Sequence, residues 1–118
     1  MRVLIADDER LARQRLLSLL EKEEDVQIVG ECSDGAAAAE MLKSRPVDVA
    51  FLDIEMPGQS GLEAMGAATE GIQPLVVFIT AFEQYAVRAF EANAFDYLLK
   101  PYREERLRNT LSRLRGHL

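Results

Sequence analysis

The residues in this chain whose types and spacing suit chemistry are the pair Asp7-Asp8, then Asp53, Thr80 and Lys100. Each closes or follows a short apolar run. Val3-Leu4-Ile5-Ala6 gives way to Asp7-Asp8-Glu9, and Val47 to Leu52, broken only by Asp48, stops at Asp53. Leu75 to Ile79 stops at Thr80, and Phe95 to Leu99 stops at Lys100-Pro101. Singly, these residues have ordinary readings. An Asp after a strand is more often a turn or helix-cap residue, a strand-end Thr is usually just a strand residue, and a lone Lys usually faces solvent. Jointly they read differently. Three carboxylates brought together repel one another, and a cation relieves that repulsion. Oxygen-only ligands favour Mg2+, Mn2+ or Ca2+ over zinc. Mg2+ keeps waters and is commonly completed by a phosphate oxygen. Lys100 would add a second positive charge and Thr80 a hydroxyl donor. Positioning, charge neutralisation and a nucleophile are what phosphoryl transfer needs, and a carboxylate can itself be the nucleophile, forming an acyl phosphate.

Such a site needs strands that end at one edge. The pattern predicts strands at Val3–Ala6, Val26–Glu31, Val47–Leu52, Leu75–Thr80 and Phe95–Leu99. Helical spacing predicts helices from Arg10 to near Glu24-Asp25, from the Ser33-Asp34-Gly35 turn to Ser44, from Leu62 to about Thr69, from Glu83 to Ala92, and from Arg103 to Leu114. Arg45-Pro46 ends the second helix, Gly66 weakens the third, and Ala86, Ala89 and Phe90 are the expected inward face of the fourth. The result is a strictly alternating (βα)5 chain. Alternation implies an α/β, doubly wound, flavodoxin-like parallel sheet with helices on both faces, in the strand order 2-1-3-4-5. The wetter second strand fits an edge. In that order the first, third and fourth strands are neighbours, and their carboxyl ends are where an open α/β sheet collects its chemistry.

Composition narrows the classes further. The chain has 118 residues, ordinary for one domain, and a net charge of −6 that argues against nucleic-acid binding by this segment. No run approaches a membrane span, the N-terminus lacks a signal-peptide pattern, and the expected location is the cytoplasm. Cys32 is the single cysteine and His117 the single histidine, so an internal disulfide, a cysteine-based zinc site and a multi-histidine metal site are excluded.

The acidic pair Asp7-Asp8, the Asp53-Ile54-Glu55-Met56-Pro57 run with Gly61, Thr80-Ala81 and Lys100-Pro101 closely resemble the receiver domain of bacterial two-component response regulators. The resemblance covers essentially the whole chain. The stretch from Thr80 through Tyr85-Ala86 and Phe90-Glu91 to Asp96-Tyr97-Leu98-Leu99-Lys100-Pro101 further resembles the LytR/AlgR-type subgroup, in which a LytTR-type DNA-binding domain follows. The resemblance implies that Asp53 accepts a phosphoryl group from a sensor histidine kinase. It implies Mg2+ (or Mn2+) held by Asp8, Asp53 and the backbone carbonyl of Glu55, with Asp7 acting through a metal-bound water. It also implies that Thr80 and Lys100 hold the phosphoryl oxygens, that Lys100-Pro101 is a cis peptide, and that Tyr97 is a switch aromatic that moves with Thr80. The expected output is a homodimer through the fourth helix, fifth strand and fifth helix, in a transcription regulator of which this is the N-terminal piece.

Rival readings fit less well. An aspartyl-phosphate phosphatase of the haloacid-dehalogenase type would need a second Asp two residues after the nucleophile, where this chain has Glu55. A flavodoxin-like carrier would bind phosphate through Ser, Thr and Gly in its first loop, where this chain has Asp7-Asp8-Glu9. A receiver that works only as a binding module would not need the full acidic, Thr and Lys set.

Overall fold

A computed structural model describes residues 1–66 and 73–118. Its elements run β1 (Arg2–Ala6), α1 (Arg10–Glu21), β2 (Gln27–Cys32), α2 (Gly35–Ser44), β3 (Val49–Leu52), α3 (Gly61–Met65), β4 (Leu75–Thr80), a 3-10 turn (Glu83–Tyr85) leading into α4 (Ala86–Glu91), β5 (Asp96–Leu99) and α5 (Glu104–His117). All strand pairings are parallel, in the order β2-β1-β3-β4-β5, as the alternation predicts. The later part of the predicted third helix lies outside the described residues. Among the described residues no helix is long and apolar enough to cross a membrane.

Side chains alternate across a strand, so each strand feeds two core layers. Leu4, Ala6, Ala50, Leu52, Val76 and Phe78 point to one face, where Ala38, Ala39 and Leu42 of α2, Ala64 of α3 and Ala89 of α4 cover them. Val3, Ile5, Val49, Phe51, Val77 and Ile79 point to the other, under Leu16 and Leu20 of α1 and Leu107, Leu111 and Leu114 of α5. The inner strand β3 is therefore buried along its whole length, whereas β2 carries only one buried residue, Cys32. Burial pushes the Cys32 thiol up to about 11, which leaves it an unreactive core group.

Register aligns the site. Ala6 pairs with Leu52, Leu52 with Phe78, and Thr80 with Leu99. Asp7 and Asp53 thus stand one residue beyond matched positions on adjacent strands, and Lys100 one residue beyond Leu99. The ladder carries on past them: Asp53 N–H donates to Ala6 carbonyl at 2.9 Å, Asp7 N–H to Cys32 carbonyl at 3.1 Å, and Lys100 N–H to Thr80 carbonyl at 2.7 Å.

Helix α5 runs on to His117, three residues past the predicted Leu114, and the predictions also fail at two other helices. Helix α1 stops at Glu21, short of Glu24-Asp25. The run Glu21-Lys22-Glu23-Glu24-Asp25 puts carboxylates where the helix dipole is negative, and Glu23 carbonyl instead accepts from Val26 N–H in a turn. The fourth helix starts as a 3-10 turn, and its inward face carries Tyr85 and Ala89 rather than Ala86, Ala89 and Phe90. Phe90 is 83% exposed and Val87 68%. Residues 85 and 89 are one helical turn apart, so the residue after Ala89 is rotated toward solvent.

Candidate functional site

The carboxylates of Asp7, Asp8, Glu9 and Asp53 each offer an oxygen within 4.8 Å of the others. Asp7 and Asp53 are buried, at 6% and 5% exposure, while Asp8 and Glu9 face solvent. Lys100 Nζ lies among them, 2.8 Å from Asp7 Oδ2, 2.9 Å from Glu9 Oε1 and 2.9 Å from Asp53 Oδ2. Backbone amides hold the second oxygens: Glu9 N–H donates to Asp7 Oδ1 at 2.9 Å, and Glu55 N–H to Asp53 Oδ1 at 3.2 Å. The peptide bond after Lys100 is cis, as the resemblance implies.

Burial pushes the Asp53 carboxyl up to about 6, with Lys100 pulling it down and Asp7 pushing it up. Burial likewise works against the Lys100 ammonium, but hydrogen bonds to Asp7, Glu9 and Asp53 outweigh it and raise its pKa. The site is thus a partly desolvated pool of negative charge balanced by one cation. Its donor set is oxygen only, which suits a hard divalent cation and not zinc.

The loops around the pool are locally determined. Ser60 caps α3, accepting from Glu63 N–H while Glu63 Oε1 accepts from Ser60 N–H, both at 3.1 Å, a reciprocal capping box. Gly61 follows because a Cβ there would stand 2.2 Å from the Asp53 carbonyl oxygen. Helix α3 therefore begins in direct backbone contact with the Asp53 strand end.

Thr80 is fully buried, and its Oγ1 accepts from Phe82 N–H at 3.3 Å. Tyr97 is half-buried, and its hydroxyl donates to the Phe82 carbonyl. Both residues therefore engage the same stretch after β4. The Glu55 side chain turns away from Asp53 and accepts from Tyr85 Oη at 2.5 Å. A groove of about 560 Å³ opens there, lined by Asp8, Glu55, Met56, Ser60, Tyr85 and Arg88 among others. On the other side of Lys100 lies a more apolar cavity of about 460 Å³, bounded by Ala12, Leu16, Ile79, Pro101 and Tyr102.

The fold therefore brings Asp7, Asp8, Asp53 and Lys100 together as their strand-end positions predict. Thr80 and Tyr97 are joined through Phe82 instead of standing alone. Two participants escape sequence reasoning. Glu9 had the signal of a third consecutive acid after strand β1, but nothing in the pattern showed that it would reach Lys100. Tyr85 reads as a helix residue, and its hydroxyl contact depends on the 3-10 turn.

A doubly wound sheet with an acidic pool and a lysine at its carboxyl edge defines a class, and comparison with known proteins agrees. The response regulator receiver domain family matches residues 3–112. The transcriptional regulatory protein BtsR of Salmonella typhi is 51% identical over 115 residues, covering 98% of this chain and 48% of BtsR. The response regulatory domain of mrkE from Klebsiella pneumoniae superposes with a TM-score of 0.92 at 41% identity, covering 99% of this chain and 97% of that one. The receiver domain of NarL from Mycobacterium tuberculosis gives 0.86 at 33% identity, covering 98% and 96%. This chain belongs to the response regulator receiver domain family: it is a receiver domain of two-component signalling, a switch rather than a classical enzyme. It spans about half the length of the curated relatives it matches.

Proposed function

We propose that Asp53 is the phosphoacceptor and that a sensor histidine kinase is the donor. The observation that carries this reading is the placement of Lys100 Nζ 2.9 Å from Asp53 Oδ2 within a pool of carboxylates. In the transfer, an Asp53 carboxylate oxygen bonds to phosphorus as the P–N bond of the donor phosphohistidine breaks. The departing imidazole keeps the electron pair and takes up a proton. Asp8, Asp53 and the Glu55 backbone carbonyl would hold Mg2+, or Mn2+, with Asp7 reaching it through water. The ion, when bound, neutralises the carboxylates and the incoming phosphoryl oxygens. Lys100 would exchange its contact with Asp53 for one with a phosphoryl oxygen, and Thr80 would release the Phe82 amide to donate to another.

The phosphoryl group adds about −1.5 to −2 charges and three acceptor oxygens. It shifts a population only through its different affinity for two states, and a swing from about 1:99 to 99:1 needs ~5.5 kcal/mol. Tyr97 and Thr80 share Phe82 as a contact, so moving Thr80 toward the phosphate disturbs the Tyr97 anchor and with it α4 and β5. The output would be homodimerisation through α4, β5 and α5, in a cytoplasmic, LytR/AlgR-type transcription regulator with a LytTR-type DNA-binding domain after this segment. The Tyr85-Ala86, Phe90-Glu91 and Asp96-to-Pro101 sequence supports that subgroup.

Intact-protein mass spectra after incubation with acetyl phosphate test the site. A Mg2+-dependent gain of one phosphoryl group that is absent in Asp53→Asn is the expected result. Label on the variant at the wild-type rate overturns the assignment.

A further inference from the structure

Glu55 and Tyr85 face each other across the groove that opens beside Asp8. Glu55 stands exposed on the β3–α3 turn, and Tyr85 is half-buried at the end of the 3-10 turn before α4. Their hydrogen bond, Tyr85 Oη to Glu55 Oε1 at 2.5 Å, lies in the range of a hydroxyl bonded to an ionised carboxylate. The Arg88 guanidinium sits over the Tyr85 ring, 5.9 Å from its centroid. The main chain of Glu55 is at the same time bound to the site, since its N–H donates to Asp53 Oδ1. One residue therefore has its backbone on the phosphoacceptor and its charge tied to the opposite wall. The surroundings make that charge matter: Asp8, Glu55 and Glu63 line the groove, and Arg88 is its one cationic lining residue among those described.

We propose that Tyr85 is a positioning residue for phosphoryl transfer. Its hydroxyl keeps the Glu55 carboxylate against the α4 side, out of the approach of the anionic phosphoryl donor. The Tyr85 hydroxyl is the hydrogen-bond donor that holds the Glu55 side chain there. Freed, the carboxylate can swing across the mouth of the groove and repel the donor at short range, where charges interact most strongly. Repulsion of this kind weakens donor binding and leaves the chemical step alone. This inference rests on Asp53 being the phosphoacceptor.

Acetyl phosphate is the probe. Asp53 oxygen bonds to its phosphorus, the P–O bond to the acetyl group breaks, and acetate leaves with the electron pair. Tyr85→Phe removes one oxygen and keeps the ring. At saturating Mg2+ and low ionic strength, with mass gain as the readout, it raises the half-saturating acetyl phosphate concentration roughly fivefold, the net scale of one ordinary hydrogen bond. The maximal rate stays the same, and the difference shrinks as salt is added. Adding Glu55→Gln restores the wild-type half-saturation, because the amide carries no charge to misplace. An unchanged half-saturation in Tyr85→Phe, or a weakening that persists in the double variant, overturns the inference. A wild-type protein that takes no phosphoryl group under these conditions overturns the Asp53 assignment and this inference together. A phosphorylated wild type with a flat Tyr85→Phe response overturns the inference alone.

Discussion

Lys100, one residue beyond the edge strand β5, reaches past β4 to set its ammonium 2.9 Å from Asp53 Oδ2, just beyond the end of β3. It continues to Asp7 at the end of β1, 2.8 Å away, so one side chain ties three non-consecutive parts of the chain into the site. With Lys100 13% exposed and Asp7 and Asp53 less so, the contact is a partly buried ion pair rather than a surface one.

Removing one member of such a pair strands the other charge. Lys100→Ala is expected to cost about 2 kcal/mol of stability without divalent cation, less than the ~3–5 kcal/mol of a fully buried pair because Asp8 and Glu9 are open to water. Mg2+ should recover most of that stability, since the ion supplies the missing charge. The variant should still bind Mg2+ but fail to convert phosphorylation into dimer. Urea titrations followed by circular dichroism, with and without Mg2+, check the first part, and sedimentation after acetyl phosphate treatment checks the second. A destabilisation that Mg2+ leaves unchanged would show that Lys100 acts by packing.

The Asp53 carboxyl, raised to about 6 by burial and by Asp7, gives a pH dependence of defined sign. Between the unfolded value near 4 and the folded value the native state binds more protons, so stability falls as pH rises through that window. Above it the cost of the ionised group is fully present. Asp53→Asn removes that cost, although its neutral amide also binds the Lys100 ammonium more weakly. On balance the variant is expected to be more stable than wild type at pH 7.5 without Mg2+, by about 1–2 kcal/mol. The gap should close as pH falls to 5. Melting curves at the two pH values measure it, and a variant less stable at pH 7.5 would contradict the charge-pool description.

The network between β5 and α5 titrates the opposite way. Asp96, at the start of β5, accepts from Arg106 at 2.8 Å, from Arg113 at 3.1 Å and from the Thr110 hydroxyl at 2.6 Å. Burial raises its pKa, but the hydrogen bonds from Arg106 and Thr110 outweigh it and hold the carboxyl at about 2. Its stabilisation is present above the unfolded value near 4 and is lost as pH falls through 2. Asp96→Asn should cost about 1–2 kcal/mol at pH 7, a figure reduced because both arginines are substantially exposed. The difference should vanish near pH 2. An equal destabilisation at both pH values would mean that shape, not charge, is what Asp96 contributes.

The sequence carried the strand ends well because each is a hard boundary between an apolar run and a polar residue, as at Leu52-Asp53 and Leu99-Lys100. Parallel register then converts position in a strand into position at one edge. Partners set by side-chain reach were not legible. Glu9 meets Lys100 only because α1 starts where it does, and Tyr85 meets Glu55 only because a 3-10 turn rotates it inward. The same turn explains Phe90, whose apolar character suggested burial. Its neighbour Ala89 takes the core position. The partners of the α5 arginines are likewise set by reach: Arg106 and Arg113 bind Asp96, Arg108 binds Glu104, and Arg115 binds Asp25 and Glu23.

With those arginines paired, the face of α4, β5 and α5 is defined more by apolar surface than by free charge. Val87 and Phe90 on α4 stand 68% and 83% exposed, and Leu99 at the end of β5 is 38% exposed. Side chains this exposed contribute little to folding, and polar substitution there should change stability by less than about 0.5 kcal/mol. If phosphorylated copies associate through α4, β5 and α5, burying Phe90 is a large share of the apolar gain. Phe90→Ser is therefore expected to melt like wild type, to take up phosphoryl groups at the wild-type rate, and to weaken the phosphorylated dimer about tenfold or more, the scale of a buried aromatic anchor. Sedimentation over a concentration series reads the dimer constant, and mass spectra of the same samples read the phosphorylation. A dimer of unchanged strength in Phe90→Ser would move the association surface off α4.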